Sequence, residues 1–306
     1  MTGEPTTFTD LPDLASRALG GGVVFANDEL FAEKENLIKP GPAEATDAFG
    51  HKGKVYDGWE TRRRREPGND WAVVRLGVPG VVRGVVIDTA YFTGNYPPHA
   101  SVEGAAASGY PAPLEITDWV PLLGRVPLLG DTPNLFEVAS DERVTHVRLS
   151  IYPDGGVARF RVHGEPRPEP QVGSVDLASG GTIIDCSNRF YSAPENLLQP
   201  GPPTHMGDGW ENARRRDDGN DYVVVGLATP GRVQRVEIDT TYFVGNAPGW
   251  ASLTSGPLAL LPRTRLQPDT RHEFLVSSPE PVSQVRLDVF PDGGVARLRI
   301  WGELDG

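Results

Sequence analysis

The chain is written twice. Four blocks recur in the same order along its 306 residues. Residues 57–71, DGWETRRRREPGNDW, return as DGWENARRRDDGNDY at 208–222, with 10 of 15 positions identical. IDTAYFTGN from Ile87 returns as IDTTYFVGN from Ile238, and YPDGGVARFRVHGE from Tyr152 as FPDGGVARLRIWGE from Phe290. Near the start of each half, Glu-Asn-Leu precedes a shared Pro-Gly-Pro, at Glu35 and again at Glu195. A duplication of this kind binds both halves to one fold, because each copy must bury the same pattern of side chains. The expected division is 1–166 and 167–306, with the proline-rich stretch from Pro166 to Pro170 as linker. The first half carries extra residues around 43–52 and 103–129, which read as loops because insertions there cost little.

The repeated unit reads as strands and turns. Apolar runs at 72–76 and 223–227 have strand length and stop at Pro79-Gly80 and Pro230-Gly231, which look like turns. Val147, Leu149 and Ile151 alternate with His146, Arg148 and Ser150, the period of a half-buried strand. Pro-Asp-Gly-Gly then reads as a tight hairpin, since two glycines supply positive φ. Helix signals are weak, with one short helix expected over 29–37. With Gly 36 and Pro 29, the composition favours short strands and tight turns. The expected architecture is all-β, two tandem jelly-roll β-sandwich domains.

The DGWE block holds the chemistry-bearing side chains. Its polar positions are retained along with the apolar ones: Glu60/Glu211, Arg63/Arg214, Arg64/Arg215, Arg65/Arg216, Asn69/Asn220 and Asp70/Asp221. Packing alone does not require that. An arginine beside Glu, Asn and Asp offers a two-pronged clamp for a carboxylate and acceptors for amide N–H groups. A structural reading stands beside it: Asp-Gly makes a turn and the arginines form a solvated face. Trp59 and Trp210 belong to packing. Asp88 and Asp239 sit in apolar strands and should anchor an arginine or a loop backbone. Asn95 and Asn246 read as turn residues. Arg159 and Arg297 fit either a core carboxylate or a ligand groove.

Several classes are disfavoured. The net charge of −12 opposes nucleic acid as a partner. No apolar run is long enough to span a bilayer, and the opening residues lack a secretory h-region. The one cysteine, Cys186, excludes an internal disulfide, so a cytoplasmic setting is expected. The histidines are not repeated and form no metal motif. A divalent cation on a carboxylate-rich site stays open as an alternative without motif support.

DGWETRRRR, IDTAYFTGN, YPDGGVARFRVHGE and the opening NDELFAEKENLIKPGP together resemble the allantoicase (allantoate amidinohydrolase) family over nearly the whole chain. The resemblance implies two jelly-roll domains of galactose-binding-like type. It also implies a hydrolase that converts allantoate to ureidoglycolate and urea in purine catabolism, and a homo-oligomer. Matched to that chemistry, Arg62 or Arg63 would grip the substrate carboxylate, and Asn69 and Asp70 would accept ureido N–H groups. Glu60 is the first candidate for acid–base work, Asp70 the second, and His99 an alternative confined to the first half. Glu211, Arg214, Asn220 and Asp221 are the binding candidates of the second half. That half has Asn212 and Ala213 where the first has Thr61 and Arg62, which weakens it as a complete site. The competing reading is a non-catalytic tandem module that binds a carbohydrate or other ligand.

Overall fold

The computed structural model of the chain describes residues 7–168 and 173–304. It separates into two compact units, Met1–Glu169 and Pro170–Gly306. The break falls past the expected one because Pro166 still pairs with Gly80. The Arg167 N–H also donates to the Pro79 carbonyl at 2.7 Å. Of the expected linker, Glu169 and Pro170 lie outside the described residues.

The first unit has seven principal strands: β1 Gly22–Ala26, β2 Asp70–Asp88, β3 His99–Ala105, β4 Val120–Pro127, β5 Pro133–Glu137, β6 Arg143–Tyr152 and β7 Arg159–Pro166. The early part of β2 lies between β1 and β6, with β3 and β4 beyond, all antiparallel. The late part of β2 lies between β5 and β7. A five-stranded and a three-stranded layer thus share one long strand. Ala72, Val74, Leu149 and Ile151 from the first layer and Val85, Ile87, Phe160 and Val162 from the second are fully buried in one core. This is a jelly-roll sandwich.

The second unit repeats it with β8 Thr182–Cys186, β9 Asp221–Asp239, β10 Trp250–Ser255, β11 Leu258–Arg265, β12 Arg271–Leu275, β13 Val282–Phe290 and β14 Arg297–Leu304. Here β9 is the shared strand. Its core includes Val223, Val225, Val236, Ile238, Leu287 and Leu298. Among the described residues no helix is long and apolar enough to cross a membrane. The helical pieces are 3-10 turns, and the helix expected over 29–37 appears as one at Lys34–Ile38.

Three local expectations change. Pro79-Gly80 does not end a strand, because β2 runs through it for 19 residues. The register against β6 shifts between Arg75 and Gly80, and there the strand leaves one layer for the other. Proline suits that position, having no N–H to pair. Glycine suits it too, since a Cβ on Gly80 would stand 2.3 Å from the Glu165 carbonyl oxygen. Pro-Asp-Gly-Gly is not a hairpin. It carries the chain from β6 in one layer to β7 in the other, and those two strands are not paired. Finally, His146 and Ser150 do not face solvent, being 0% and 6% exposed. The 106–119 loop packs against their neighbours: Ala107 N–H donates to Thr145 Oγ1 at 2.9 Å, Arg75 bonds the Tyr110 hydroxyl at 3.1 Å, and Arg148 stacks on Trp119. Burial, with nearby Arg75, pushes His146 down to about 4, so its ring is neutral at pH 7.

Candidate active site

Three of the repeated blocks meet at one junction. Trp59 is fully buried and its indole N–H donates to the Asp28 carbonyl at 2.7 Å, which pins the chain just before Glu60. The Glu60 carbonyl accepts from Phe31 N–H at 3.1 Å and Ala32 N–H at 3.2 Å, and Gly156 lies opposite it in register. The Glu60 side chain meets the Thr-Gly-Asn loop: Asn95 Nδ2 donates to Oε1 at 2.7 Å. Gly156 N–H closes the ring by donating to the Asn95 carbonyl at 2.8 Å. Gly155 has φ 144°, and a Cβ there would stand 2.7 Å from that same carbonyl oxygen. Gly155 is therefore what lets this turn press against Asn95.

The second unit builds the same ring. Asn246 Nδ2 donates to Glu211 Oε1 at 2.7 Å, and Gly294 N–H to the Asn246 carbonyl at 2.8 Å.

The arginine run alternates. Arg62 is held by Asp28, through its backbone N–H at 2.8 Å and its guanidinium. Arg64 faces inward, its backbone N–H on Asp154 Oδ2 at 2.8 Å and its Nε 3.4 Å from Asp70 Oδ1. Arg63 and Arg65 are exposed and have no protein partner among the described residues. In the second unit Arg215 faces inward to Asp221 at 2.8 Å, and Arg214 and Arg216 are the exposed pair.

Of the remaining candidates, four are engaged in hydrogen bonds at the strand starts. Asp70 is 3% exposed and accepts from Asn27 Nδ2 at 3.0 Å. Asp221 is fully buried and accepts from the Ser187 hydroxyl at 2.8 Å. Asn69 and Asn220 each donate to the carbonyl of the following aspartate, at 3.2 and 3.0 Å. Together these four fix the starts of β2 and β9. His99 is half-buried at the start of β3, opposite Tyr152 and Pro127, and makes no hydrogen bond to the junction residues. Asp88 and Asp239 accept backbone N–H groups of Ala90 and Thr241, both at 2.9 Å, so they anchor loops.

Burial pushes the Glu60 carboxyl above the ordinary carboxylate range, and the Asn95 hydrogen bond opposes it. A cleft of about 760 Å³ runs beside the junction, bordered by Phe31 and Ala32, Lys39, Tyr56, Asp57 and Arg159. Arg159 is 2% exposed, and its N–H groups reach Asp57 Oδ2 at 2.5 Å and the carbonyls of Gly41, Pro42, Asp57 and Ala158. Burial raises the Asp57 carboxyl, but bonds from Arg159, Lys39 and the Glu44 N–H outweigh it and bring it down to about 2. Among the described residues no group of three or more His, Cys, Asp or Glu side chains could hold a metal ion.

A family model for the allantoicase repeat matches residues 12–167 and again 174–305. The chain belongs to the allantoicase family. A probable allantoicase of Nocardia farcinica is 57% identical over 99% of this chain and 97% of that protein. One of Streptomyces coelicolor is 48% identical, covering 97% and 86%. A crystal structure of allantoicase from Saccharomyces cerevisiae is 33% identical over 96% of this chain and 93% of that one, with a TM-score of 0.47.

In this allantoicase-family chain, residue patterns alone passed over Asn95, Asn246, Asp28 and Asp57. A signal for the asparagines was present, since both Gly-Asn pairs are retained. In sequence they look like turn residues, because asparagine tolerates left-handed backbone. The left-handed residues are instead Tyr91 (φ 67°) and Tyr242 (φ 71°).

Proposed function

We propose that the chain hydrolyses allantoate to ureidoglycolate and urea at the Glu60 junction. The observation that carries this reading is Glu60 itself: a half-buried carboxyl with raised proton affinity and one hydrogen-bonded oxygen, on a loop end that also presents two unpaired guanidinium groups. Membership of the allantoicase family supplies the substrate.

Allantoate carries one carboxylate and two ureido groups on a single carbon. An amide nitrogen leaves poorly as an anion, so the departing ureido nitrogen must gain a proton as its bond to carbon breaks. Glu60, protonated, gives it. The lone pair of the remaining ureido nitrogen forms the C=N bond that replaces the broken one, and urea leaves. Water then adds to the carbon and returns a proton to the Glu60 carboxylate. One water is consumed and Glu60 is restored.

Arg63 and Arg65 are the groups we assign to the substrate carboxylate, because Arg62 and Arg64 are already held by Asp28 and by Asp154 and Asp70. Asp70 and Asn69 are assigned to holding the loop rather than to the reaction. The setting we propose is a cytoplasmic homo-oligomer acting on a small molecule; a net charge of −12 separately opposes a nucleic-acid partner.

The test is urea release from allantoate by the purified chain, with ureidoglycolate followed in parallel. Equal amounts of the two products support the reading. A folded sample that releases no urea at any pH overturns it and favours a tandem ligand-binding module.

A further inference from the structure

We infer that Asn95 is a positioning residue for this reaction: its side-chain amide holds the Glu60 carboxyl through Oε1, leaves Oε2 for substrate, and stabilises the carboxylate that forms when Glu60 gives up its proton. The inference rests on the functional reading above.

Four observations carry it. First, backbone geometry does not explain the residue. Asn95 is not left-handed, and neither is Asn246. The backbone hydrogen bond from Gly156 N–H to the Asn95 carbonyl needs no particular side chain. Yet the asparagine is retained in both units.

Second, the side-chain contact is duplicated to the same length, 2.7 Å from amide to carboxylate in each unit. Third, the amide orientation follows from its partner. Oε1 accepts whether or not Oε2 carries a proton, so Nδ2 faces Oε1 and Asn95 Oδ1 is turned away. Oδ1 makes no hydrogen bond to protein among the described residues. Fourth, the loop that carries Asn95 is fixed from behind. Gly155 packs against Asn95 to Pro97, and Gly156 against the Phe92 ring, at distances no side chain would allow.

The consequence is differential. An N–H donor bonds an ionised carboxylate more strongly than a neutral carboxyl. The Asn95 bond therefore tightens as Glu60 transfers its proton to the departing nitrogen. An interaction that strengthens along the reaction lowers the barrier rather than merely improving binding.

The experiment uses the full chain and compares wild type with Asn95→Ala and Asn95→Asp. Circular dichroism and melting curves establish that each variant is folded. The expected result for Asn95→Ala is a fall in kcat of about 10- to 100-fold, the range for loss of one hydrogen bond to a charged group. KM should stay within about threefold. Because the bond favours the ionised form, its loss should move the alkaline limb of the kcat profile to higher pH. Asn95→Asp, with a second carboxylate beside Glu60, should move it further. A loss of activity that only follows the folded fraction, with the limb unmoved, overturns the inference. The Glu60 carboxyl is also followed directly by carbon-13 NMR titration in wild type and Asn95→Ala. If wild type releases no urea while the Glu60 titration still shifts in Asn95→Ala, the functional reading fails and only the hold of Asn95 on the Glu60 carboxyl stands. If Glu60 titrates identically in both proteins, the positioning role fails whatever the activity.

Discussion

The same substitution made in both units should cost unequal amounts. Arg159 has five N–H groups and all are bonded: Nε to Gly41, Nη1 to the carbonyls of Asp57 and Ala158, and Nη2 to Pro42 and the Asp57 carboxylate. Arg159→Met leaves that carboxylate with Lys39 and the Glu44 N–H only. Breaking a buried ion pair from one side costs about 3–5 kcal/mol. The two surviving donors place this case near the lower end, about 3 kcal/mol. Arg297 is the twin, 5% exposed, but its bonds go to the carbonyls of Asn196, Gly201, Asp208 and Ala296 rather than to a carboxylate. Burial, together with Arg299, pushes the Arg297 guanidinium below its ordinary range despite nearby Asp208 and Asp239. Arg297→Met therefore loses neutral hydrogen bonds but relieves a buried charge, for a net of about 1–2 kcal/mol. Differential scanning calorimetry of the three proteins measures the difference. For a unit of this size about 3 kcal/mol lowers its transition by roughly 6–12 °C, and the Arg297 variant should move by about one- to two-thirds of that. Equal shifts in the two variants would refute the claim that the Asp57 carboxylate makes Arg159 special.

Two further perturbations bear on the framework. Gly155→Ala forces a Cβ to 2.6 Å from the Pro97 nitrogen at φ 144°, and should cost about 2–3 kcal/mol and depress activity by displacing Asn95. Gly94→Ala, in open space, should be close to neutral by the same melting and urea-release assays. Glu237, across from Glu273 and Arg299, is raised to about 7 by burial and by Asp239 and Glu273, against Arg271 and Arg299. Its folded value lies above the ordinary glutamate value of 4.5, so its contribution is favourable below that value and is lost as pH rises through about 7. Glu237→Gln should thus raise stability at pH 8 by on the order of 2 kcal/mol and change it little at pH 4. The same difference at both pH values would contradict the assignment.

The sequence carried the duplication, the strand content and the family because these are written in local patterns. Trp59 and Trp210 were legible as packing residues for the same reason. The layer switch within β2 was not, because Pro79-Gly80 has the signature of a turn, and only the close approach of Glu165 from β7 makes it a crossing point. The Glu60 junction was half legible. Glu60 stood out through its block, but its partner Asn95 comes from another block and looks like turn chemistry until the backbone angles are known. The division of labour along 62–65 was hidden for a related cause. Four consecutive arginines look equivalent until Asp28, Asp70 and Asp154 engage two of them from other segments.

The most direct test of the account is urea release from allantoate by Glu60→Gln, measured across pH beside wild type. Glutamine keeps the shape and a hydrogen-bonding oxygen but cannot shuttle a proton. The account predicts a folded variant with at least about 100-fold lower kcat, the lower end expected when a proton donor is removed. It also predicts loss of the wild-type alkaline limb, which for Glu60 should lie above the usual carboxylate range. A folded Glu60→Gln protein with near wild-type turnover and an unchanged pH profile would contradict it.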